Sequence, residues 1–180
     1  KGKQRPDGAV EMTVFQDFKA VFHPAEQLDL DSWFRERDER TSRQEQERRK
    51  AAEAKSYVEK SNKDETFRYH IAKVTEDDFS IQDDPILTNE DLVLGIRPEF
   101  IDITESGGLE GEIYGAMPTG MESTIKVRVG DFLLTGVVFG STLFVLGTKV
   151  RLEISGQNIM LFDRKSGTCI ALGSLEFLQV

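Results

Sequence analysis

The chain has 180 residues and a mass of 20.3 kDa, and its 32 acidic against 23 basic residues give a formal net charge of −9. This balance argues against non-specific binding to DNA, RNA or an anionic membrane surface, because such binding needs a cationic field. The single cysteine, Cys169, excludes an internal disulfide and favours a reducing, cytosolic setting. Since only 38% of residues are hydrophobic and 31% are charged, we expect part of the chain to be solvated rather than packed.

The sequence has no obvious membrane or export segment. No apolar run approaches the roughly 18–20 residues of a membrane span, and the first residues lack the apolar core of a signal peptide. The chain starts with Lys1 instead of a methionine, and we expect it to be part of a larger protein.

Residues that commonly perform catalysis are scarce. The histidines, His23 and His70, lack a second histidine or a cysteine at ligand spacing, so each is interpreted as a structural or surface residue. Cys169 lies beside an apolar run and is interpreted as a small buried hydrophobe. Residues 140–149 lack the spacing of a phosphate loop, and their apolar centre favours a strand. We therefore expect this chain to hold no catalytic residue, metal or cofactor and not to be an enzyme by itself.

Residues 1–28 are interpreted as an N-terminal tail followed by the first strand or strands. Residues 1–8 are polar and rich in turn formers, which predicts a frayed end. Residues 9–23 alternate apolar and polar positions, which predicts a strand or a bent pair of strands. We expect this segment to contribute a strand to a barrel formed by later residues.

Residues 29–65 are predicted to form a long charged helix inserted in the N-terminal half. Asp29 or Asp31 is the expected N-cap. No apolar residue occurs from position 35 to 50, and acid–base pairs such as Glu39 and Arg43 recur at i,i+4 spacing. We interpret the helix as a solvated insertion, while a partner-binding arm stays open as the alternative. Deletion of residues 32–62 is accordingly expected to leave the remainder folded.

Residues 66–180 are predicted to form the β-rich domain, so the predicted fold class is all-β with one inserted helix. Alternation over residues 66–72 predicts a strand, and a second short strand at 79–81 is followed by an acidic connector. From the predicted buried strand at 92–96 onward, short apolar strands recur with glycine turns between them. This regular spacing is typical of a small all-β barrel or sandwich.

Several short motifs of the second half follow a familiar order. The two strongest are Leu94-Gly95-Ile96-Arg97-Pro98-Glu99 and Leu161-Phe162-Asp163 with the Ser166-Gly167 turn; between them stand Gly111-Glu112-Ile113, Gly120-Met121-Glu122, Val127-Arg128-Val129-Gly130 and Gly147-Thr148-Lys149. In this order they resemble the C-terminal regulatory domain of ATP-binding-cassette importer ATPase subunits of the maltose and glycerol-3-phosphate type. The resemblance covers roughly residues 92–180. Phe100 stands where the family often has histidine, and residues 29–65 have no family counterpart.

The resemblance implies an OB-like β-barrel of the transport-associated type, with regulatory and dimerisation roles in solute import, of a carbohydrate or a related compound. It implies that ATP and Mg²⁺ are bound by an upstream domain absent from this chain. The implied partners are a second copy of the chain, the nucleotide-binding domain of the same protein and the transporter's membrane subunits, with no nucleic acid among them. The implied location is cytoplasmic, at the inner face of the plasma membrane. The family-motif residues, all expected to be structural, are Arg97, Pro98, Glu99, Glu122, Phe162, Asp163 and Gly167.

The residue types alone also predict structural roles for these positions, independently of the family resemblance. Pro98 is expected to end the strand at the edge of the barrel, while Arg97 and Glu99 pair with neighbours. Phe162 is expected to point inward, and Asp163 to bind the amides of the following turn. Apolar residues of the 133–144 stretch suit the core better than an interface; they are Leu133, Val137, Phe139, Leu143 and Phe144.

The alternative function is a free-standing barrel that binds an oligonucleotide or a small ligand. The residues that favour it form one predicted cationic strip across paired strands: Lys126, Arg128, Lys149 and Arg151.

Overall fold

The computed structural model describes residues 1–15, 17–54, 86–105, 108–140 and 142–178. In these residues the chain forms two antiparallel, curled β-sheets and one long helix, so the β-rich fold with a helix in its N-terminal half is confirmed. Within the same residues no helix is long and apolar enough to cross a bilayer. The predicted strands at 66–72 and 79–81, the helix beyond residue 54 and His70 lie outside the described residues.

Sheet 1 combines strands from both ends of the chain. Its six strands are β1 (Gly2–Gln4), β2 (Val10–Val14), β3 (Phe18–Pro24), β4 (Leu92–Gly95), β10 (Ile159–Asp163) and β11 (Cys169–Phe177). They lie in the order β1-β2-β3-β11-β10-β4, and every neighbouring pair is antiparallel. Residues 9–23 thus form a bent pair of strands, and β3 of that pair is hydrogen-bonded to β11 near the other end of the sequence.

Sheet 2 is built from the intervening residues. Its five strands are β5 (Ile101–Thr104), β6 (Leu109–Pro118), β7 (Glu122–Val129), β8 (Phe132–Phe139) and β9 (Lys149–Ile154). They lie in the order β5-β9-β6-β7-β8. The sheet curls so that its edge strands approach each other, and a side chain at Gly136 would lie 3.4 Å from the Ile101 carbonyl oxygen. The small residue therefore permits this close contact between β8 and β5.

One core joins the two sheets. Alternate residues of β7 point inward and are fully buried, because successive side chains of a strand lie on opposite faces. They pack in the same cluster as Phe22 of β3 and Leu161 of β10. The two curled sheets thus share one hydrophobic interior rather than forming two separate domains.

The predicted frayed end is wrong for Gly2–Gln4. The Gly2 backbone N–H donates to the Glu90 carbonyl oxygen at 2.8 Å, which joins β1 to the residues before β4. A Cβ at Gly2 would lie 2.8 Å from the Leu92 side chain, so the closeness of the two chains leaves little room for a larger residue. The segment is ordered because it closes the edge of sheet 1, which its polar composition did not indicate.

The helix, α1, spans Leu30–Ala54. Asp29 is its N-cap, as predicted: its carboxylate accepts the Ser32 backbone N–H at 3.2 Å and the Ser32 hydroxyl at 2.8 Å. These bonds lower the pKa of Asp29 below its ordinary value. The first two turns are not solvated, however, because Leu30, Phe34 and Arg37 are buried. The expectation that residues 32–62 offer little surface to the core is therefore wrong for these turns.

Three further sequence interpretations are wrong in detail. The apolar centre of 140–149 is not a strand: residues 142–146 have no regular structure, and Leu143 is 83% exposed. Strand β4 is an edge strand, so its apolar residues are half-buried and not buried as expected. Cys169 is exposed at the start of β11, where the preceding turn leaves it at the surface.

Candidate interaction sites

The two strongest sequence motifs lie side by side. Strands β4 and β10 pair in register, with Leu94 opposite Leu161 and Val93 opposite Phe162. Motif residues 67 and 69 positions apart along the chain are thus brought into direct contact by the sheet.

Arg97, Pro98 and Glu99 end strand β4 as predicted. Arg97 is the extended residue before a 3-10 turn that begins at Pro98 and ends at Phe100. Its guanidinium lies 3.8 Å from the Glu99 carboxylate, and its side chain is 63% exposed, so this ion pair is weak. The stretch redirects the chain from sheet 1 into sheet 2, and Pro98 lies on the wall of the space between the two sheets.

Asp163 organises the β10–β11 turn. Its carboxylate is fully buried and accepts the backbone N–H of Ser166 at 2.9 Å and of Lys165 at 3.3 Å, as predicted. Gly167 closes the turn with a φ of 69°, a conformation that favours glycine, and its N–H donates to the Asp163 carbonyl oxygen.

The sequence did not identify the cation that faces Asp163. Arg37 of α1 is 5% exposed, and its Nη1 lies 2.9 Å from Asp163 Oδ1, an ion pair whose N–H direction is not aligned for a hydrogen bond. Its other nitrogens bond to Asp38 and to the Asn89 side chain. Burial by itself would lower the pKa of Arg37, but the hydrogen bonds to Asp38 and the negative charges of Asp38 and Asp163 raise it. A buried ion pair therefore links helix α1 to the turn between β10 and β11.

The prediction that Phe162 points inward is wrong. Ile159, Leu161 and Asp163 occupy the inner face of β10, so the period of two places Phe162 on the other face. There it lies over Gly95, where a Cβ would come within 2.7 Å of its ring. Glu122 begins β7, and its backbone carbonyl oxygen, not its carboxylate, accepts the Thr119 N–H that closes the β6–β7 turn.

Six large apolar side chains on sheet 2 and its β6–β7 and β8–β9 connections are exposed, and this set is here called the apolar tip. It comprises Met117, Met121, Phe139, Leu143, Val145 and Leu146, which are between 63% and 87% exposed. Met121 and Phe139 are neighbours, since the Gly140 N–H donates to the Met121 carbonyl oxygen and Phe139 pairs with Glu122. The expectation of a core position is therefore wrong for Phe139 and Leu143, whereas Phe144 packs against the core and Leu133 and Val137 are half-buried.

The stretch that contributes four of these six residues carries no charge, and Glu122 is the charged residue opposite Phe139 on β7. No Asp, Glu, Lys or Arg occurs between positions 132 and 148, in a chain that is 31% charged. Apolar patches of this kind on a surface commonly mark a place where another molecule binds.

The predicted cationic strip is broken by two carboxylates. Strands β7 and β9 do not pair with each other, because β6 lies between them. Glu112 of β6 pairs with Arg128 at 2.9 Å, and Glu110 of β6 pairs with Arg151 at 2.8 Å. Two of the four cations are thus neutralised locally, which removes the feature that favoured nucleic-acid binding.

A cleft of about 710 Å³ opens between the two sheets. Its walls are the end of β2, the edge of β4 and the start of β8, and most of its lining is apolar. Phe15 and Phe132 contact each other across it, with ring centroids 5.6 Å apart. We call this space the inter-sheet cleft.

No protein-family model matches the sequence, and no curated protein matches it significantly. In the described residues no three side chains of the His, Cys, Asp or Glu type cluster in a way that would hold a metal ion. His23 is at the surface of sheet 1, with Nε2 3.2 Å from the Glu176 carboxylate on the neighbouring strand.

Proposed function

We propose that this chain is the regulatory and dimerisation domain of an ATP-binding-cassette importer ATPase subunit, with an OB-like barrel in its β-rich domain. ATP hydrolysis is then performed by a nucleotide-binding domain upstream in the same protein. The transporter's membrane subunits hold the assembly at the inner face of the plasma membrane. The imported solute is a carbohydrate or a related compound.

The observation that carries this proposal is the apolar tip. Each copy has a net charge of −9, so two copies carry charge of the same sign. The 132–148 stretch carries no charge and presents Phe139 and Leu143 to solvent. Burying these side chains against a second copy stabilises a dimer by removing apolar area from water, and aromatic residues and methionine are common in such interfaces.

The pairing of β4 with β10 gives independent support. Two motifs that carry the family resemblance meet in one sheet, with the Arg97–Glu99 stretch at the exit of one strand and the Asp163 turn at the end of the other. Residues shared with a family for structural reasons are expected to form one such structural unit.

The experiment is identification of the native polypeptide. Immunoprecipitation with an antibody to this chain, followed by mass spectrometric sequencing, is expected to yield a longer protein with a phosphate-binding loop upstream of Lys1. A native polypeptide without an ATP-binding region would overturn the proposal.

The alternative to the importer proposal is a barrel that binds single-stranded nucleic acid. Because Glu110 and Glu112 neutralise two of the strip's cations, we expect no retention of single-stranded oligonucleotides even at low ionic strength. Tight, salt-sensitive retention in a filter-binding assay would favour the oligonucleotide-binding barrel instead.

A further inference from the structure

We infer that the inter-sheet cleft holds one more β-strand, formed by the residues that precede Lys1 in the native polypeptide. These residues continue β1 along the outer edge of β4, and their apolar side chains fill the cleft. The inference rests on the proposed function in one respect only, namely that polypeptide precedes Lys1. It does not require that this polypeptide bind ATP.

The outer edge of β4 is the first observation. In the described residues β4 is the last strand of sheet 1 and pairs with β10 alone. The Arg164 N–H donates to the Asp91 carbonyl oxygen at 3.1 Å, so Asp91 and every second residue after it face β10. The backbone N–H and C=O groups of Leu92 and Leu94 therefore point away from β10, and an edge of this kind is a template for another strand.

Strand β1 already reaches this edge. Five successive antiparallel pairings lead from β1 to β4, so the two strands run in opposite directions. The Gly2 N–H donates to the Glu90 carbonyl oxygen at 2.8 Å, and the Lys1 ammonium lies 2.6 Å from the Asp91 carboxylate. Both contacts fit one antiparallel register, in which Gly2 is opposite Glu90 and Lys1 is opposite Asp91. Continued backwards, this register places the first residue before Lys1 opposite Leu92.

The register also decides which side chains enter the cleft. Gly2 is buried, and a Cβ there would lie 2.8 Å from the Leu92 side chain. Because side chains alternate along a strand, the first and third residues before Lys1 point to the same inner face as Gly2. Their backbone groups then meet those of Leu92 and Leu94, which are the groups that point away from β10.

The walls of the cleft match a strand at this position. The Thr13 N–H donates to the Lys1 carbonyl oxygen at 3.0 Å, and the register of β1 with β2 places the first residue before Lys1 opposite Val14. Val14 at the end of β2 and Leu92 at the start of β4 both line the cleft. The cleft thus begins where β1 ends, and it lies between the two strands that would flank its continuation.

Backbone chemistry distinguishes this occupant from other apolar molecules. A lipid would cover Val14, Leu92 and Leu94, which are half-buried, but it would leave the backbone groups of β4 without partners. A strand covers the same side chains and also pairs with these groups, and buried backbone groups in proteins are almost always paired. Residues joined to Lys1 reach the cleft without the entropy cost of associating two molecules, which favours them over a separate peptide.

The first test adds six residues before Lys1 in two arrangements of the same composition. The in-phase extension alternates lysine and valine with valine at the first, third and fifth positions before Lys1, and the out-of-phase extension has lysine at these positions. With the in-phase extension, amide hydrogen exchange at Leu92 and Leu94 is expected to slow by at least about tenfold relative to the unextended chain. The out-of-phase extension should leave it unchanged. Val93, whose N–H faces β10 in all three proteins, is the internal control and should change much less.

Substitutions in sheet 1 locate the contact. The in-phase extension is expected to raise the Tm by at least about 3 °C over the out-of-phase one. Leu94→Ser, in the wall of the cleft, should remove most of this increment. Leu172→Ser, at an exposed leucine of sheet 1 outside the cleft, should keep it. If Leu94→Ser does not fold, amide exchange in the two extended proteins decides the question alone.

Four results would overturn the inference. Three of them concern the Leu92 and Leu94 amides: fast exchange with the in-phase extension, equal protection by both extensions, and protection already in the unextended chain, which would show that another segment or a second copy covers the edge. The fourth is a native sequence with proline or a charged residue at the first or third position before Lys1.

These results are separate from the test of the importer proposal. Failure of the in-phase extension would leave that proposal standing. A native polypeptide without an ATP-binding region would remove the importer proposal and would not change the exchange at Leu92 and Leu94.

Discussion

Two regions differ in whether their side chains find interaction partners within one chain. One is the contact between the start of α1 and sheet 1, here called the helix junction, and the other is the apolar tip. At the junction, Arg37, Asp163 and Gln4 find partners with charge or hydrogen-bonding capacity in other elements. At the tip, Phe139 and Leu143 are apolar and exposed, and they belong to the 132–148 stretch, which carries no charge. The first arrangement stabilises the fold by itself, whereas the second gains free energy only when another surface covers it. Substitutions at the junction should therefore change stability, and substitutions at the tip should change association.

The largest effect on stability is expected from Arg37→Ala. The fully buried Asp163 would lose the cation that compensates its charge, and removal of one partner of a buried ion pair costs about 3–5 kcal/mol. Urea unfolding monitored by circular dichroism measures this change. Arg43→Ala is the control: this arginine is 76% exposed on the same helix, so its loss should cost less than about 0.5 kcal/mol. Equal effects of the two substitutions would show that the helix is not fastened through Arg37.

A smaller loss is expected from Gln4→Ala. The Gln4 side chain donates to the Leu28 carbonyl oxygen at 2.7 Å and accepts the Leu30 N–H at 2.8 Å, at the start of α1. Leaving these groups without partners should cost about 2 kcal/mol. The same unfolding measurement applies, and sedimentation should show unchanged association. A loss of association in this variant would contradict the separation between junction and tip.

The smallest expected effect on stability is the pH-dependent contribution of Asp91. Burial would raise the pKa of Asp91, but bonds from Lys1 and Thr88 lower it from 3.8 to about 2. A carboxylate with a depressed folded-state pKa stabilises the fold above its unfolded-state value, and this contribution is lost as the pH falls from about 4 to about 2. Lys1 is 56% exposed, so we expect no more than about 1 kcal/mol.

Comparison of Asp91→Asn with the unmodified protein measures this contribution. The stability difference from urea unfolding should be largest at neutral pH, decrease as the pH falls below about 4, and vanish only below the folded-state pKa of about 2. A difference that grows as the pH falls would have the wrong sign for a depressed pKa.

Patterns within short stretches of sequence were enough to predict several strands and the start of the helix. Hairpin β7–β8 and strands β9 to β11 follow from alternation and glycine turns, and the N-cap at Asp29 follows from its residue type. Strand β1 was missed because its order comes from pairing with β2 and contact with Glu90, which are set by tertiary structure. The exposure of β4 was missed because a sequence does not state which strand forms the edge.

The spacing of residues in α1 could have predicted that Arg37 is buried, but the high charge of the segment led to the opposite expectation. Leu30, Phe34 and Arg37 are spaced i, i+4 and i+7, so they lie on one face of the helix. The charge density of residues 35–50 suggested full solvation, whereas this one face packs against the core for two turns. The inter-sheet cleft had no comparable signal, because its walls come from strands that are distant in the sequence and meet only in the folded chain.

The central claim, that the apolar tip joins two copies of this chain, is tested most directly by sedimentation equilibrium. We predict that the unmodified protein is a dimer and that Phe139→Lys is a folded monomer, because desolvating a charge inside an apolar interface costs more free energy than a cross-strand pair with Glu122 returns. Leu172→Lys is the matched control, since Leu172 is an exposed leucine of sheet 1 outside the tip, and it should remain dimeric. A monomeric unmodified protein, or a dimer that Phe139→Lys leaves intact while folded, would contradict the claim.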